Sequence, residues 1–444
     1  MNKYDGKTIN TPNTEDLRTM DQDSLDSIRG CIFGGAVGDA LGYSIEFLDE
    51  EGIFKRYGLH GITVYDKDIE SGEAIISDDT QMTLFTANGL LVRDTICSLK
   101  GIHDRPRSYV SRAYHDWLLT QDLTWHKAKD YRQTLNGKSQ SWLLDVPELY
   151  ERRAPGITCL NALRNDTTGI DDFVKSRKNN SKGCGGVMRV APMAVNDQMD
   201  IEELDMEGAQ IAAITHGHSL GYMPAAVLVH IINRIIFPPK GYSKSLKEII
   251  IEARDTVVRL FDGDQHLSEL VNIIDRAVQL SEDTTSSDLD NIHKLGEGWV
   301  AEETLAIALY CALRHQNDFS AGVIAAVNHK GDSDSTGAVA GNILGALHGY
   351  QAIEEKWKKD LELSDVILEI ADDLCHGCKV LNSKGKEASD WKSKYIDMKR
   401  PLKQKPPVFF WLDKGENGYL SNWYQRKFVI DEFEYLHVEQ YMMA

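Results

Sequence analysis

The sequence predicts an all-α protein, and two observations support that prediction. From Ile28 to about Leu381 the apolar residues recur mostly at helical spacing, as in residues 81–92, 267–280 and 301–315. Strand-like alternation is sparse, with residues 61–68 (GITVYDKD) as one short candidate, and no series of alternating strands and helices predicts a parallel sheet. We therefore expect a compact multi-helix domain over residues 28–381.

Three further segments flank this domain. Residues 1–27 are polar and show little apolar periodicity, which is typical of a flexible arm. Residues 382–407 are rich in lysine and contain prolines, which indicates a linker or a covering segment. Residues 408–444 are rich in aromatic residues and predict two or three short strands followed by the start of a helix. We expect them to form a short C-terminal α/β fragment.

The charge and composition of the chain argue against several classes of partner. The chain has 49 basic and 68 acidic residues, and its net charge of -19 would repel the phosphate backbone of a nucleic acid. No uninterrupted apolar run approaches the roughly 18 to 20 residues that a membrane helix needs. The N-terminus lacks the apolar core of a signal peptide, and the seven scattered cysteines do not predict a disulfide framework. We expect a cytoplasmic protein without a membrane partner.

Two of the predicted helices contain glycines at steps of four residues. One row is Gly30, Gly34, Gly38 and Gly42, and the other is Gly337, Gly341, Gly345 and Gly349. A glycine inside a helix costs about 1 kcal/mol relative to alanine, so such rows indicate that another backbone approaches closely. Both helices are therefore predicted to be central, and each adjoins a candidate functional loop.

Two acidic clusters lie far apart in the sequence, each before an apolar helix rich in small residues. Residues 77–79 read Ser-Asp-Asp and residues 332–335 read Asp-Ser-Asp-Ser. Four carboxylates in one place would repel one another and raise their own pKa values unless cations neutralised them. A set of oxygen ligands favours magnesium, manganese or calcium over zinc. Helix N-capping is the alternative, but it explains one aspartate per helix and leaves the second without a role.

Other polar residues are candidates on weaker signals. Asp39 and Glu46 lie in the glycine-rich segment 38–46, where a carboxylate could face a ligand or cap a turn. The segment 181–192 places three glycines before an apolar, helix-like stretch, and such a backbone can bind a phosphate. His216 lies in an apolar helical pattern, where a satisfied core histidine is the commoner outcome.

Five segments, taken together, resemble the ADP-ribosylglycohydrolase family of the dinitrogenase-reductase-activating type, and they occur in the family's order. They are GCIFGGAVGDALGYSIEF, ISDDTQMT, SKGCGGVMRVAP, THGHSLGY and NHKGDSDSTGAVAGNILGALHG. The resemblance implies an all-α fold and a binuclear site with two magnesium or manganese ions. It also implies release of ADP-ribose from modified side chains, commonly arginine.

The resemblance also implies roles for individual residues. The metal ligands that it implies are Ser77, Asp78, Asp79, Asp332, Asp334 and Ser335, and Ser335 stands where many members have threonine. Glu46 matches a glutamate near the ligand. The residues that it implies for the ADP-ribose pocket are Gly183, Cys184, Gly185, Gly186, Met188, Arg189 and His216.

A second and shorter resemblance lies near the C-terminus. Residues 418–444 are similar to the opening of the NADAR domain, a family of N-glycosidases, on the strength of Leu420-Ser421-Asn422 and Val438-Glu439-Gln440-Tyr441. Such a domain needs well over a hundred residues. We therefore interpret residues 408–444 as a truncated NADAR-like segment.

Three functions are consistent with these patterns. The first is metal-dependent hydrolysis of the N-glycosidic bond between ADP-ribose and an arginine side chain of a protein, with Asp79 or Asp78 as candidate base and Glu46 sharing the acid and base roles. The second is an immunity protein that binds and occludes an ADP-ribosyltransferase toxin, with the acidic arm 1–27 as the insert. The third is a hydrolase of a small-molecule or nucleobase adduct of ADP-ribose.

Overall fold

The structure is a computed structural model that describes residues 22–128, 141–165, 171–379 and 385–401, together with the backbone of residues 428–430 and 433–435. Residues 1–400 form one unit and residues 401–444 form a second. Residues 1–21 of the predicted arm 1–27 lie outside the described residues, whereas residues 22–27 belong to a helix, so the prediction of a flexible arm was wrong for them. The NADAR-like segment also lies outside the described residues, except for two strands.

The described part of the first unit is built from α-helices, which confirms the predicted all-α class. The helices are α1 (Gln22–Tyr43), α2 (Glu50–Tyr57), α3 (Asp78–Lys100), α4 (Pro106–Asp122), α5 (Ile157–Arg164), α6 (Ile201–Ala213), α7 (Ser219–Ile236), α8 (Leu246–Leu260), α9 (Leu267–Ser281), α10 (Asp288–Ile292), α11 (Ala301–Arg314), α12 (Phe319–Val327), α13 (Ser333–His348), α14 (Glu355–Lys358), α15 (Ser364–His376) and α16 (Lys386–Tyr395). Short 3-10 helices lie at Trp142–Asp145, Pro147–Tyr150, Cys184–Gly186 and Ala191–Ala194. In the second unit, β1 (Phe428–Ile430) pairs antiparallel with β2 (Phe433–Tyr435).

The glycine rows bring α1 and α13 into backbone contact. A Cβ atom on Gly38 would lie 1.9 Å from the carbonyl oxygen of Gly337, and one on Gly42 would lie 2.3 Å from that of Ser333. Because no real side chain tolerates such distances, glycine is required here, and the predicted close approach is confirmed. Gly349 differs from the rest of its row, since it follows the end of α13 with φ +79 and terminates the helix. The end of α1 thus meets the start of α13.

Helix α7 lies in the hydrophobic core. Within the described ranges it is the one helix long and apolar enough to cross a membrane, and 89% of that stretch is buried inside the protein. His230 interrupts its apolar sequence, and its Nδ1 lies 2.7 Å from the buried carboxylate of Asp205. Burial and a paired polar residue are what a core helix of a globular domain requires.

Residues 61–68, the short strand candidate, do not form a strand. The backbone N–H of Ile62 donates to Asn328 Oδ1 at 2.7 Å, and the Ile62 carbonyl accepts from Asn328 Nδ2 at 2.9 Å. Tyr65 is buried against Trp357, with their ring centroids 5.1 Å apart. The alternating pattern therefore reflects packing of an irregular segment whose backbone is satisfied by a side chain.

Helix α16 lies within residues 382–407, the segment interpreted as a linker or a cover. Trp391 is buried and donates its Nε1–H to Thr95 Oγ1 at 2.9 Å. Lys394 forms a buried ion pair with Asp373. Because these contacts tie α16 to α3 and α15, residues 386–395 belong to the helical body rather than to a linker.

Candidate active site

Asp39 holds the start of α3 in place. It lies in α1, is fully buried, and accepts hydrogen bonds from the backbone N–H groups of Ser77 at 2.9 Å and Thr80 at 3.0 Å. The Thr80 hydroxyl donates to the same carboxylate. Ser77 caps the helix by accepting from the N–H of Asp79 at 3.2 Å. Of the two roles that the sequence left open for Asp39, the structure supports capping, here of a helix distant in sequence.

The two acidic clusters meet at the starts of α3 and α13. The Ser335 hydroxyl donates to Asp79 Oδ2 at 2.9 Å. Carboxylate oxygens of Glu46, Asp332 and Asp334 lie within 4.8 Å of one another. Asp332 also caps α13, because its carboxylate accepts from the N–H of Ser335 at 3.4 Å. The capping alternative therefore holds for Asp332, while Asp334 supplies the additional carboxylate that capping leaves unexplained.

The clustered carboxyl groups repel one another in a buried setting. Burial, and after it the charge of Asp334, raises the pKa values of Asp78 and Asp79 well above their usual range. Burial, and after it the charge of Asp332, does the same to the pKa of Asp334. Burial and the charge of Asp334 raise the pKa of Glu46 to about 10. The site therefore needs positive charge in order to carry all of these carboxylates in ionised form.

The residues fit hard divalent cations. Glu46, Asp332 and Asp334 offer three carboxylate oxygens at ligand spacing, and Asp79 is linked to this group through Ser335. Glu46 Oε2 is buried and has no hydrogen-bond partner among the described residues. Carboxylates and hydroxyls are the ligands that magnesium and manganese prefer. A cation here would satisfy the unpartnered oxygen and relieve the mutual repulsion.

The glycine-rich segment 181–192 lies beside the second acidic cluster. The Cys184 thiol donates to Asp332 Oδ2 at 2.7 Å, and the adjacent Gly185 and Gly186 are buried. The segment forms two short 3-10 helices rather than the helix-like stretch expected from its apolar residues, since its glycines and a proline disfavour a longer helix. A ligand at this loop would meet irregular backbone rather than the end of an α-helix.

His216, Met188 and Arg189 reach the site to different degrees. His216 lies in the loop between α6 and α7 rather than inside a helix, and a Cβ atom on Gly183 would lie 3.3 Å from its Nε2. Burial, and after it the charge of Arg189, lowers the pKa of His216 to about 3. The Met188 sulfur lies 3.8 Å from Ser335 Oγ. Arg189 is fully buried, and its guanidinium bonds the sulfur atoms of Met82 and Cys159 and the hydroxyl of Thr215.

The profile of the ADP-ribosylglycohydrolase family matches residues 20–383. This chain belongs to the ADP-ribosylglycohydrolase family. Human ARH3, an ADP-ribosylhydrolase, is similar to it at 24% identity over 373 residues, which cover 76% of this chain and 90% of ARH3. Tri1 of Serratia proteamaculans (strain 568), an ADP-ribosylarginine hydrolase, is 23% identical over 364 residues, which cover 82% of each chain.

A solved structure described as an ADP-ribosylglycohydrolase-related protein complex has the same fold. It superposes with a TM-score of 0.50 at 24% identity, over 80% of this chain and 98% of the other. Membership of the ADP-ribosylglycohydrolase family identifies the chain as an enzyme that hydrolyses ADP-ribose linkages.

Some residues that shape the site of this ADP-ribosylglycohydrolase were not predicted. Lys182 forms an ion pair with Glu302 of α11, which holds the glycine-rich segment in place. Thr215 bonds both Arg189 and His216. Thr215 lies in one of the segments that resemble the family, directly before His216, so the sequence could have indicated it as a residue of the site. Glu302 carries no such signal, because its partner is remote in sequence.

Proposed function

We propose that this ADP-ribosylglycohydrolase removes ADP-ribose from arginine side chains of proteins and so reverses mono-ADP-ribosylation. The observation that carries the proposal is the contact between Ser335 and Asp79, which joins the two acidic clusters beside the glycine-rich loop. The arginine linkage is supported by the similarity to Tri1, whose name specifies ADP-ribosylarginine.

We also propose that the site holds two magnesium or manganese ions. The residues that would hold them are Ser77, Asp78, Asp79, Asp332, Asp334 and Ser335, with Glu46 beside them. When bound, such ions would neutralise the carboxylates and orient the ribose hydroxyls and a water molecule. The buried Glu46 Oε2 without a partner and the close carboxylates support this assignment.

Asp79 is our choice for the general base, with Asp78 as the other candidate. Asp79 Oδ2 is oriented by the Ser335 hydroxyl, and Asp78 Oδ2 accepts from the backbone N–H of Gly156 at 3.2 Å. Each carboxylate is thus held in place through one oxygen. In the metal-free site burial raises the pKa of both groups, and bound cations would return them to the ionised form that a general base needs. Asp79 would take a proton from the water that attacks C1″ of the ribose.

The negative residues also favour the transition state. As the bond to the guanidine breaks, positive charge develops on the sugar, and the nearby carboxylates stabilise it. Glu46 lies at the same cluster on the turn after α1, where its carboxyl would share the acid and base roles with Asp79. The carboxyl of Glu46 would give the guanidine its proton as the bond breaks, and the proton that Asp79 takes from the attacking water restores the balance, so that the guanidine leaves as a well solvated cation.

Exposed apolar side chains around the site suit a protein substrate. Phe47 follows Glu46 and is 73% exposed, and Ile157, which follows the Gly156 that bonds Asp78, is 75% exposed. Trp299 is also exposed, and its carbonyl accepts from the N–H of Cys184. Apolar groups exposed next to a polar site are typical of contact with a macromolecule.

The decisive experiment measures release of ADP-ribose from an arginine-ADP-ribosylated protein with and without magnesium. We expect metal-dependent release by the wild type and loss of that release in Asp334→Asn. Wild-type protein that binds metal but releases nothing from arginine would contradict the proposed linkage, and serine and nucleobase linkages would then be tested. Toxin binding by the arm and a cytoplasmic location remain predictions from the sequence.

A further inference from the structure

His216 presents one ring nitrogen to the glycine-rich loop. A Cβ atom on Gly183 would lie 3.3 Å from Nε2, and one on Gly185 would lie 3.0 Å from Cε1. The residue is 2% exposed, and none of the residues that the structure describes forms a hydrogen bond with Nε2. The glycines therefore leave uncovered a polar atom that none of the described residues satisfies, and a ligand at the loop can form a hydrogen bond with it.

The other ring nitrogen of His216 is bonded through a chain that begins at Arg189. The Arg189 Nη2 group donates to Thr215 Oγ1 at 2.6 Å, and Thr215 Oγ1 lies 2.8 Å from His216 Nδ1. A guanidinium has donors and no acceptor, so the threonine oxygen must accept from it. That interaction polarises the hydroxyl and makes its single hydrogen a better donor to the next group. Nδ1 then acts as an acceptor, and the ring hydrogen resides on Nε2.

The surroundings of Arg189 support a hydrogen bond in which Thr215 donates and His216 Nδ1 accepts. The guanidinium stacks on the Tyr114 ring at 4.2 Å and is fully buried, and its hydrogen-bond partners include the sulfur atoms of Met82 and Cys159. Cys159 is the rival acceptor for the Thr215 hydrogen, because its sulfur also lies beside that hydroxyl. Sulfur is a weak acceptor compared with an imidazole nitrogen. The threonine hydrogen therefore goes to His216.

We infer that Arg189, acting through Thr215, holds His216 as the neutral Nε2–H tautomer, so that the histidine which the family resemblance places at the ADP-ribose pocket offers that pocket a hydrogen-bond donor. Arg189 and Thr215 are positioning residues in this scheme, and His216 is the group that touches the ligand. The identity of the ligand rests on the proposed function, whereas the tautomer does not.

The tautomer is tested by histidine side-chain ¹H–¹⁵N correlation spectra of the full-length, ligand-free protein, with the His216 signals assigned from a His216→Gln variant. We expect a protonated Nε2 and an unprotonated Nδ1 in the wild type. Thr215→Val should weaken this preference and let signals of the Nδ1–H form appear, because valine keeps the shape and removes the hydroxyl. Thr215→Ser should preserve the pattern, and it controls for the change of side-chain volume. A wild-type His216 protonated at Nδ1, or an unchanged pattern in Thr215→Val, would overturn the inference.

The donor role is tested by calorimetric titration with ADP-ribose. We expect Thr215→Val to weaken affinity about ten-fold, as expected for loss of one hydrogen bond. Gly183→Ala should weaken affinity while keeping the Nε2–H pattern, because its methyl group covers Nε2. Wild-type affinity in Gly183→Ala would refute the donor role. If ADP-ribose binds as expected but no arginine linkage is cleaved, the proposed function fails and this inference stands.

Discussion

Replacing Asp334 by asparagine should stabilise the metal-free protein while abolishing its stabilisation by metal. The charge of Asp334 is the leading electrostatic cause of the raised pKa values of Glu46, Asp78 and Asp79. At the 4.8 Å that bounds the distances among Glu46, Asp332 and Asp334, two unit charges repel by about 3 kcal/mol at an effective dielectric constant near 20. Because the neighbours are partly protonated without metal, we expect a net gain of about 1 to 3 kcal/mol.

The assay is thermal unfolding in the presence of a chelator and then in millimolar magnesium. A gain of that size should raise the apparent Tm of metal-free Asp334→Asn by roughly 1 to 4 °C over the wild type, given the length of the helical unit. Magnesium should raise the Tm of the wild type and leave that of the variant nearly unchanged, since binding to the folded state is what stabilises it. The reasoning would be refuted by a metal-free variant less stable than the wild type, or by equal magnesium shifts in both proteins.

The carboxyl groups of Glu46, Asp78 and Asp79, together with that of Asp39, make the stability of the metal-free protein depend on pH. Their pKa values in the folded state are raised, and that of Asp39 lies at about 7. The folded state therefore binds more protons than the unfolded state between the ordinary carboxyl pKa near 4 and the folded values. Stability of the metal-free wild type should fall as the pH rises through this window. Asp334→Asn should show a flatter profile, and magnesium should reverse the fall.

Three further substitutions test the frame of the site. Gly38→Ala places a methyl group against the backbone of α13 and should cost about 1 to 3 kcal/mol or more. Gly52→Ala in the partly exposed helix α2 meets only side-chain atoms of Asp49 and Leu48 and should cost less; equal melting curves for the two variants would contradict the close packing. Ser335→Ala should weaken metal affinity roughly 10-fold or more because Asp79 loses its hydroxyl donor, and Ser335→Thr should retain affinity in a metal titration. Trp391→Ala should lower stability by about 3 to 5 kcal/mol in urea unfolding, and a loss below about 1 kcal/mol would mean that α16 is not part of the body.

The sequence predicted features that arise from local patterns and missed those that arise from distant pairing. The acidic clusters could be placed at helix starts because Ser77 and Asp332 are preferred capping residues followed by carboxylates. The short strand candidate at residues 61–68 does not form a strand because Asn328, far along the chain, satisfies the backbone of Ile62. The predicted linker includes a packed helix because Trp391 finds a partner on α3. The spacing of apolar residues within a short stretch of sequence contains no information about partners that lie far along the chain.

The contact between α1 and α13 has a consequence for how this enzyme could change its specificity. Peptide groups, rather than side chains, set the spacing between the helix that carries Asp39 and the helix that carries Asp334. Substitutions of side chains elsewhere in the core would leave the spacing between these two helices unchanged. The surface positions Phe47, Ile157 and Trp299 can therefore diversify at little risk to the chemistry. Directed evolution toward a new target protein should begin at those positions and leave the glycine rows untouched.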